Sequence, residues 1–195
     1  MEMTLPIESE GPDVPGLRVT SFSGEEYLAV AAVVKNIFTA CKPEDPPKFV
    51  IIMGGVGAGK TTLRREKYGR NYVHYDFDEI CLAVIKVFGK DHPRLVELLA
   101  LASDIVFKDS IHNKRNIVIE IIGNDEVVLK MVIDKMVAIG YQVHVELVTC
   151  DIAEAYQRHL KAVKEDPEYS SAYYSQDATL NSFLSYDLEK LLLDA

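Results

Sequence analysis

No stretch of this 195-residue sequence approaches the ~20 consecutive apolar residues that a membrane span requires. Basic residues are also in short supply. Lys and Arg number 21 against 30 Asp and Glu, a formal net charge of −9. A protein that tracks a nucleic-acid backbone needs a basic face, so this balance argues against a DNA or RNA substrate while leaving room for a local patch. Cysteine is scarce. Cys41, Cys81 and Cys150 are scattered, each in or near an apolar stretch, which speaks against a disulfide framework and for reduced thiols in a cytoplasmic protein. His74, His92, His112, His144 and His159 have no spacing suited to a metal site. The acidic opening Met1-Glu2-Met3-Thr4-Leu5-Pro6 lacks the charge pattern of a signal peptide. Internal repeats and low-complexity tracts are missing too.

What is present is a chain 48% hydrophobic, enough for the core of one domain of ordinary size. Its most informative stretch is Gly54-Gly55-Val56-Gly57-Ala58-Gly59-Lys60-Thr61, followed by Thr62. This fits G-x-x-x-x-G-K-[ST], the phosphate-binding P-loop. The run Phe49-Val50-Ile51-Ile52-Met53 before it reads as a buried parallel strand, and Thr61-Thr62-Leu63-Arg64-Arg65-Glu66-Lys67 after it can start a helix. The glycines let backbone N–H groups converge on phosphate oxygens, and the helix N-terminus adds partial positive charge there. Lys60 would reach the β- and γ-phosphates, and the Thr61 hydroxyl would take a position on Mg²⁺. Nucleotide binding is the expectation, with ATP and GTP not distinguished.

The rest of the chain alternates strand and helix patterns. Residues 1–20 hold four acids, three prolines and few apolar residues, and read as a flexible arm preceding a domain over 21–195. Ser23 is placed to cap a helix running to about Ala40, with Tyr27, Val30, Val34 and Ile37 along one face. Tyr72-Val73-His74-Tyr75 is a second strand, and a helix follows it to Gly89. Pro93 suits the first position of a further helix. Residues 116–122 form a third strand, Asn124 or Asp125 caps a helix that stops at Gly140, and residues 142–149 form a fourth strand. Asp151 caps a helix, Tyr169, Tyr173 and Tyr174 sit in a polar loop, and a last helix spans about Ala178 to Leu193. This order predicts an α/β three-layer sandwich with a mainly parallel sheet, of the P-loop NTPase kind.

Three further signals fall where the chemistry of a P-loop belongs, beyond the carboxyl ends of the strands. Asp76 and Asp78 follow the second strand. One of them can serve Mg²⁺ through water while the other accepts a proton from a substrate hydroxyl, or either can simply cap the next helix. Glu120 stands in a run of Ile and Val, where a carboxylate is costly unless paired, exposed at the strand end, or meeting a ligand. Arg158, on the helix that precedes the polar loop, can offset charge on a transferring phosphoryl group or belong to a solvated face with Lys161 and Lys164.

With these residues placed, the chain from about Pro47 to Arg158 resembles the zeta-toxin-like branch of P-loop kinases. The likeness is carried by Lys48 through Thr62, by Asp76-Phe77-Asp78-Glu79-Ile80, by His92-Pro93, by the apolar strand ending in Glu120, by Gly140-Tyr141-x-Val143, and by Arg158. Ile122 and Cys81 stand where that family often has Thr and Arg. The resemblance implies an ATP- or GTP-dependent phosphotransferase acting on a hydroxyl of a small molecule, the sugar of a UDP-sugar in members that act as toxins. It further implies that Lys60 and Thr61 hold phosphate and Mg²⁺, that Asp78 is the base, that Glu120 helps bind the sugar substrate and that Arg158 stabilises phosphates. In a toxin, an antitoxin partner is expected. A nucleoside, nucleotide or polynucleotide kinase and a nucleotide-binding regulatory module are the competing expectations.

Overall fold

The computed structural model describes residues 22–38, 41–123 and 125–165. The elements run α1 (Gly24–Phe38), β1 (Lys48–Met53), α2 (Lys60–Lys67), β2 (Tyr72–Tyr75), α3 (Phe77–Phe88), α4 (Leu95–His112), β3 (Asn116–Ile121), α5 (Glu126–Ala138), β4 (Gln142–Leu147) and α6 (Ile152–Glu165). The arm at 1–20, the tyrosine loop and the final helix expected from the sequence lie outside the described residues.

The four strands form one parallel sheet in the order β2-β3-β1-β4. Parallel neighbours need crossover connections, which put helices on both faces and produce the near-continuous apolar runs of β1 and β3. Period-2 alternation sends Phe49, Ile51 and Met53 of β1 to one face, into the main core with Val30, Val34, Ile80, Val84, Leu98, Ala102, Leu129 and Met136 of α1, α3, α4 and α5. Val50, Ile52 and Val118 turn to the other face, against Leu63 of α2 and Tyr68. That division matters below, because Glu120 pairs with Ile52 in the β1–β3 register and so shares the face of α2.

The local signals at the helix ends follow the same logic. Ser23 Oγ accepts from the Glu26 N–H at 3.1 Å while Ser23 N donates to Glu26 Oε2 at 2.8 Å, a capping box that fixes the start of α1. Arg94 ties that start to α4, with Nη1 2.6 Å from Glu26 Oε1 and Nε bonded to Glu97. Asp125, one of the two candidates, caps α5 by accepting from Val128 N at 3.0 Å; Asn124 lies outside the described residues. Asp151 Oδ1 does the same for α6, accepting from Ala153 N at 2.8 Å and Glu154 N at 3.2 Å. Pro93 differs from expectation. The Leu95 N–H bonds back to the His92 carbonyl at 3.0 Å, so Pro93 lies in a turn and the helix begins at Leu95. The fixed φ of proline serves that turn as well as it would a first helical position.

Candidate functional site

The site lies where β1 and β3 end. The Gly54 N–H donates to the Ile121 carbonyl at 3.2 Å, and Val148 N donates to the Met53 carbonyl at 2.8 Å, so the sheet's ladder runs on to the edge of the P-loop. There the chain leaves the sheet and turns into α2. Gly57 (φ +77) and Gly59 (φ +105) take left-handed conformations, which Gly alone adopts without strain. Two glycines are also required for space. A Cβ on Gly54 would stand 2.5 Å from the Val148 carbonyl oxygen, and one on Gly57 would stand 2.4 Å from that of Ala155 on α6. Gly54, Gly55, Val56 and Ala58 are buried, Gly57, Gly59 and Lys60 are half-buried, and Thr62 is exposed.

Lys60 folds back over the loop. Its Nζ donates to the carbonyls of Gly54 (2.8 Å) and Gly55 (2.9 Å). Burial pushes this ammonium below its ordinary pKa, with Glu120 and Cys150 pulling the other way. A cation desolvated against two neutral acceptors gains from exchanging them for an anion.

Thr61 begins the first turn of α2 and meets Glu120 across the sheet face they share. Its Oγ1 donates to Glu120 Oε2 at 2.9 Å. One turn further along α2 stands Arg64, 1% exposed. Its Nη2 lies 2.7 Å from Asp76 Oδ2 and 3.5 Å from Glu79 Oε1, and its Nε lies 2.6 Å from Glu120 Oε1, an ion pair by distance that is not aligned as a hydrogen bond. Arg64 thus draws together the end of β2, the first turn of α3 and the end of β3. Asp76 Oδ1 also faces Glu79 N at 3.4 Å, a long contact at the start of α3. The backbone of Asp78 belongs to the first turn of α3, and its side chain lies outside the described residues.

From the opposite side α6 approaches the loop. Arg158 Nη1 donates to the Gly57 carbonyl at 3.3 Å, and Nη2 contacts Glu154 Oε2 at 3.1 Å one turn away. Lys60, Thr61, Asp76, Glu120 and Arg158 therefore gather at one end of the sheet. Among the described residues no group of three His, Cys, Asp or Glu side chains is arranged to hold a metal by itself. The Thr61 hydroxyl beside a carboxylate is nonetheless an oxygen donor set that fits Mg²⁺ delivered with nucleotide phosphates, which supplies the remaining ligands.

Residues 32–179 match the family model of the zeta toxin. The chain belongs to the zeta toxin family. This zeta-toxin chain is kinase-type in its P-loop architecture, and solved structures agree at the level of fold. A chain from the PezAT chromosomal toxin-antitoxin system of Streptococcus pneumoniae is 21% identical, with 90% of this chain and 76% of that one covered at a TM-score of 0.58. The AvrRxo1-ORF1:-ORF2 complex with ATP is 12% identical, with 87% of this chain covered and a TM-score of 0.58, and its native form gives 0.53 at the same identity. This chain spans about half the length of the AvrRxo1 chains, 55% and 54%. No curated protein matches. No helix among the described residues is long and apolar enough to cross a membrane.

Arg64 is the residue that reading the sequence passed over. Its position three after Thr61 puts both on one side of α2, but a charged residue in an eight-residue helix with Arg65, Glu66 and Lys67 for company looks solvated. Its burial follows from acids that arrive from β2, α3 and β3.

Proposed function

We propose that this zeta-family chain transfers the γ-phosphate of ATP or GTP to a hydroxyl of a small molecule, with a UDP-sugar the first acceptor to test. The observation that carries the reading is the Thr61–Glu120 contact directly beneath a P-loop whose lysine is held in place at 2.8–2.9 Å. That arrangement suits a hydroxyl that ligates Mg²⁺ while donating its proton to a carboxylate.

The roles follow from placement. Residues 54–62 wrap the phosphates, with the Lys60 ammonium moving from the Gly54 and Gly55 carbonyls to the β- and γ-phosphate oxygens. Thr61 and Asp76 would hold Mg²⁺, which would supply Lewis-acid charge on those oxygens. Asp78 takes the proton of the acceptor hydroxyl as its oxygen attacks the γ-phosphorus. The bridging oxygen then leaves with the electron pair, on the nucleoside diphosphate. Lys60 and Arg158 offset the charge that builds on the transferred group. Glu120, being bonded to Thr61, is favoured for work at the cation rather than for direct contact with a sugar. A protein partner covering the site, as the toxin–antitoxin character of the PezAT system suggests, completes the reading for a domain extending over 21–195 with the arm at 1–20.

The test is turnover of Mg-ATP and Mg-GTP with UDP-sugars, nucleosides, nucleotides and short oligonucleotides, with Asp78→Asn and Lys60→Ala in parallel. Product from one acceptor class, absent in both variants, is the expected result. Nucleotide binding with no turnover on any acceptor would favour a regulatory module instead. An Asp78→Asn protein as active as the wild type would remove the base assignment.

A further inference from the structure

We propose that Arg64 is a positioning residue for the cation end of the site. Acting through Glu120, it aims the Thr61 hydroxyl and so sets how much a divalent cation strengthens nucleotide binding. The inference rests on the reading of Thr61 as a cation ligand given above.

The geometry supports this in three steps. The Glu120 carboxylate divides its oxygens between two partners, Oε2 accepting from Thr61 and Oε1 lying 2.6 Å from Arg64 Nε. The hydrogen bond to Thr61 and the charge of Arg64 on the other oxygen together keep the carboxylate between the two partners. The Thr61 proton is committed to Oε2, which leaves the lone pairs of Oγ1 for a cation. Next, the guanidinium is itself held. Nη2 is bonded to Asp76 at 2.7 Å, and the side chain is 1% exposed, so it has no freedom to swing into solvent. Finally, one guanidinium faces three carboxylates, those of Asp76, Glu79 and Glu120. The arrangement keeps negative charge in excess next to Thr61 while preventing Glu120 from turning away. Only a planar fork spans Glu120 and Asp76 together, because a lysine ammonium is a single point of charge. Groups that orient a cation's ligands commonly change its affinity by about 10–100-fold when removed.

Binding of a fluorescent ATP analogue, titrated once with Mg²⁺ and once with EDTA, tests this without any reaction. The proteins are the wild type, Arg64→Lys, Thr61→Val and the double variant, each checked by its melting curve. The wild type is expected to bind more tightly with Mg²⁺. Arg64→Lys should lose about 10-fold or more of that gain while its affinity in EDTA stays within about two-fold. On the Thr61→Val background, Arg64→Lys should add nothing, because its effect passes through the hydroxyl. Should Arg64→Lys melt early, the pair Arg64→Gln with Glu120→Gln removes both charges together and is expected to lose the Mg²⁺ gain as well. A full Mg²⁺ gain in Arg64→Lys or in the paired variant overturns the proposal. So does an equal loss with and without Mg²⁺, the mark of a merely structural residue, and so does additivity with Thr61→Val. A wild type that binds no nucleotide overturns the function itself, a result distinct from all of these.

Discussion

Arg158 on α6 and Gly57 in the P-loop are 101 residues apart, and the Arg158 guanidinium donates to the Gly57 carbonyl at 3.3 Å. The loop after β1 and the helix after β4 are thus in direct contact, which puts the arginine against the P-loop backbone. In the role proposed for it, Arg158 offsets charge that develops during transfer, so Arg158→Ala is expected to lower kcat about 100–1,000-fold with a much smaller change in nucleotide affinity. Single-turnover kinetics beside equilibrium nucleotide binding will show whether the loss falls on the chemical step.

Gly57 makes the same contact from the other side. A Cβ there meets the Ala155 carbonyl at 2.4 Å, at φ +77. Gly57→Ala should push α6 off the loop, costing about 1–3 kcal/mol of stability and weakening nucleotide binding. Gly69→Ala, where a Cβ meets nothing within 4 Å, is the control and should lie within about 0.5 kcal/mol of wild type. Urea unfolding of the two variants measures the contrast.

Lys60 is desolvated, and burial lowers its pKa. In the window between its folded value and the higher value of the unfolded chain, the unfolded state holds more protons. Stability therefore rises with pH across that window, as the penalty for a buried charge is relieved. Lys60→Met should flatten this rise and cost no stability at pH 7. It should weaken nucleotide binding about 10–100-fold, the worth of charge-assisted hydrogen bonds to phosphate. Denaturant midpoints from pH 7 to 10, with nucleotide titrations of the same samples, separate the two effects. A clear loss of stability at pH 7 would contradict the desolvation account.

Tyr141 has the opposite sign. Burial pushes its phenol up to about 12, and its hydroxyl donates toward the carbonyls of Ser110 (3.3 Å) and Arg115 (3.1 Å). The folded state holds the proton more tightly, so the contribution is complete below the ordinary value near 10 and is lost as pH rises through 12. Alkaline unfolding of the wild type should be steep across that window, and Tyr141→Phe should make it shallower. Tyr68, raised as well by burial and its bond to Glu146, will keep some of the slope.

The β1–loop–α2 unit was legible in the sequence because every signal in it is local. An apolar run, glycines at fixed offsets and a helix starting at Lys60 need no partner to be recognised. Asp151 was legible as a cap for the same reason, and Asp125 as one of two candidates with Asn124. Two strand positions came from the apolar runs at 49–53 and 116–122, and a mainly parallel sheet from the helices between the strands; the structure makes all the pairings parallel among the described residues. What could not be read was convergence. Arg64 is an ordinary polar helix residue until β2, α3 and β3 bring Asp76, Glu79 and Glu120 to it. The sequence placed Asp76 at the right end of its strand, but not on an arginine. Pro93 looked like a helix start because its backbone angle fits both a turn and a first helical residue, and only the His92 carbonyl distinguishes the two.

The pairing of Ile52 with Glu120 across β1 and β3 limits where the chain can change length. The register of the sheet sets Glu120 on the face that α2 covers, within reach of the P-loop threonine. A single-residue deletion within β3 would turn Glu120 to the opposite face, where Ile51 and Met53 pack. A change of length inside β3 is therefore far more damaging to the Thr61–Glu120 contact than one outside it. Loops that lie beyond the strand ends carry no such constraint on their length.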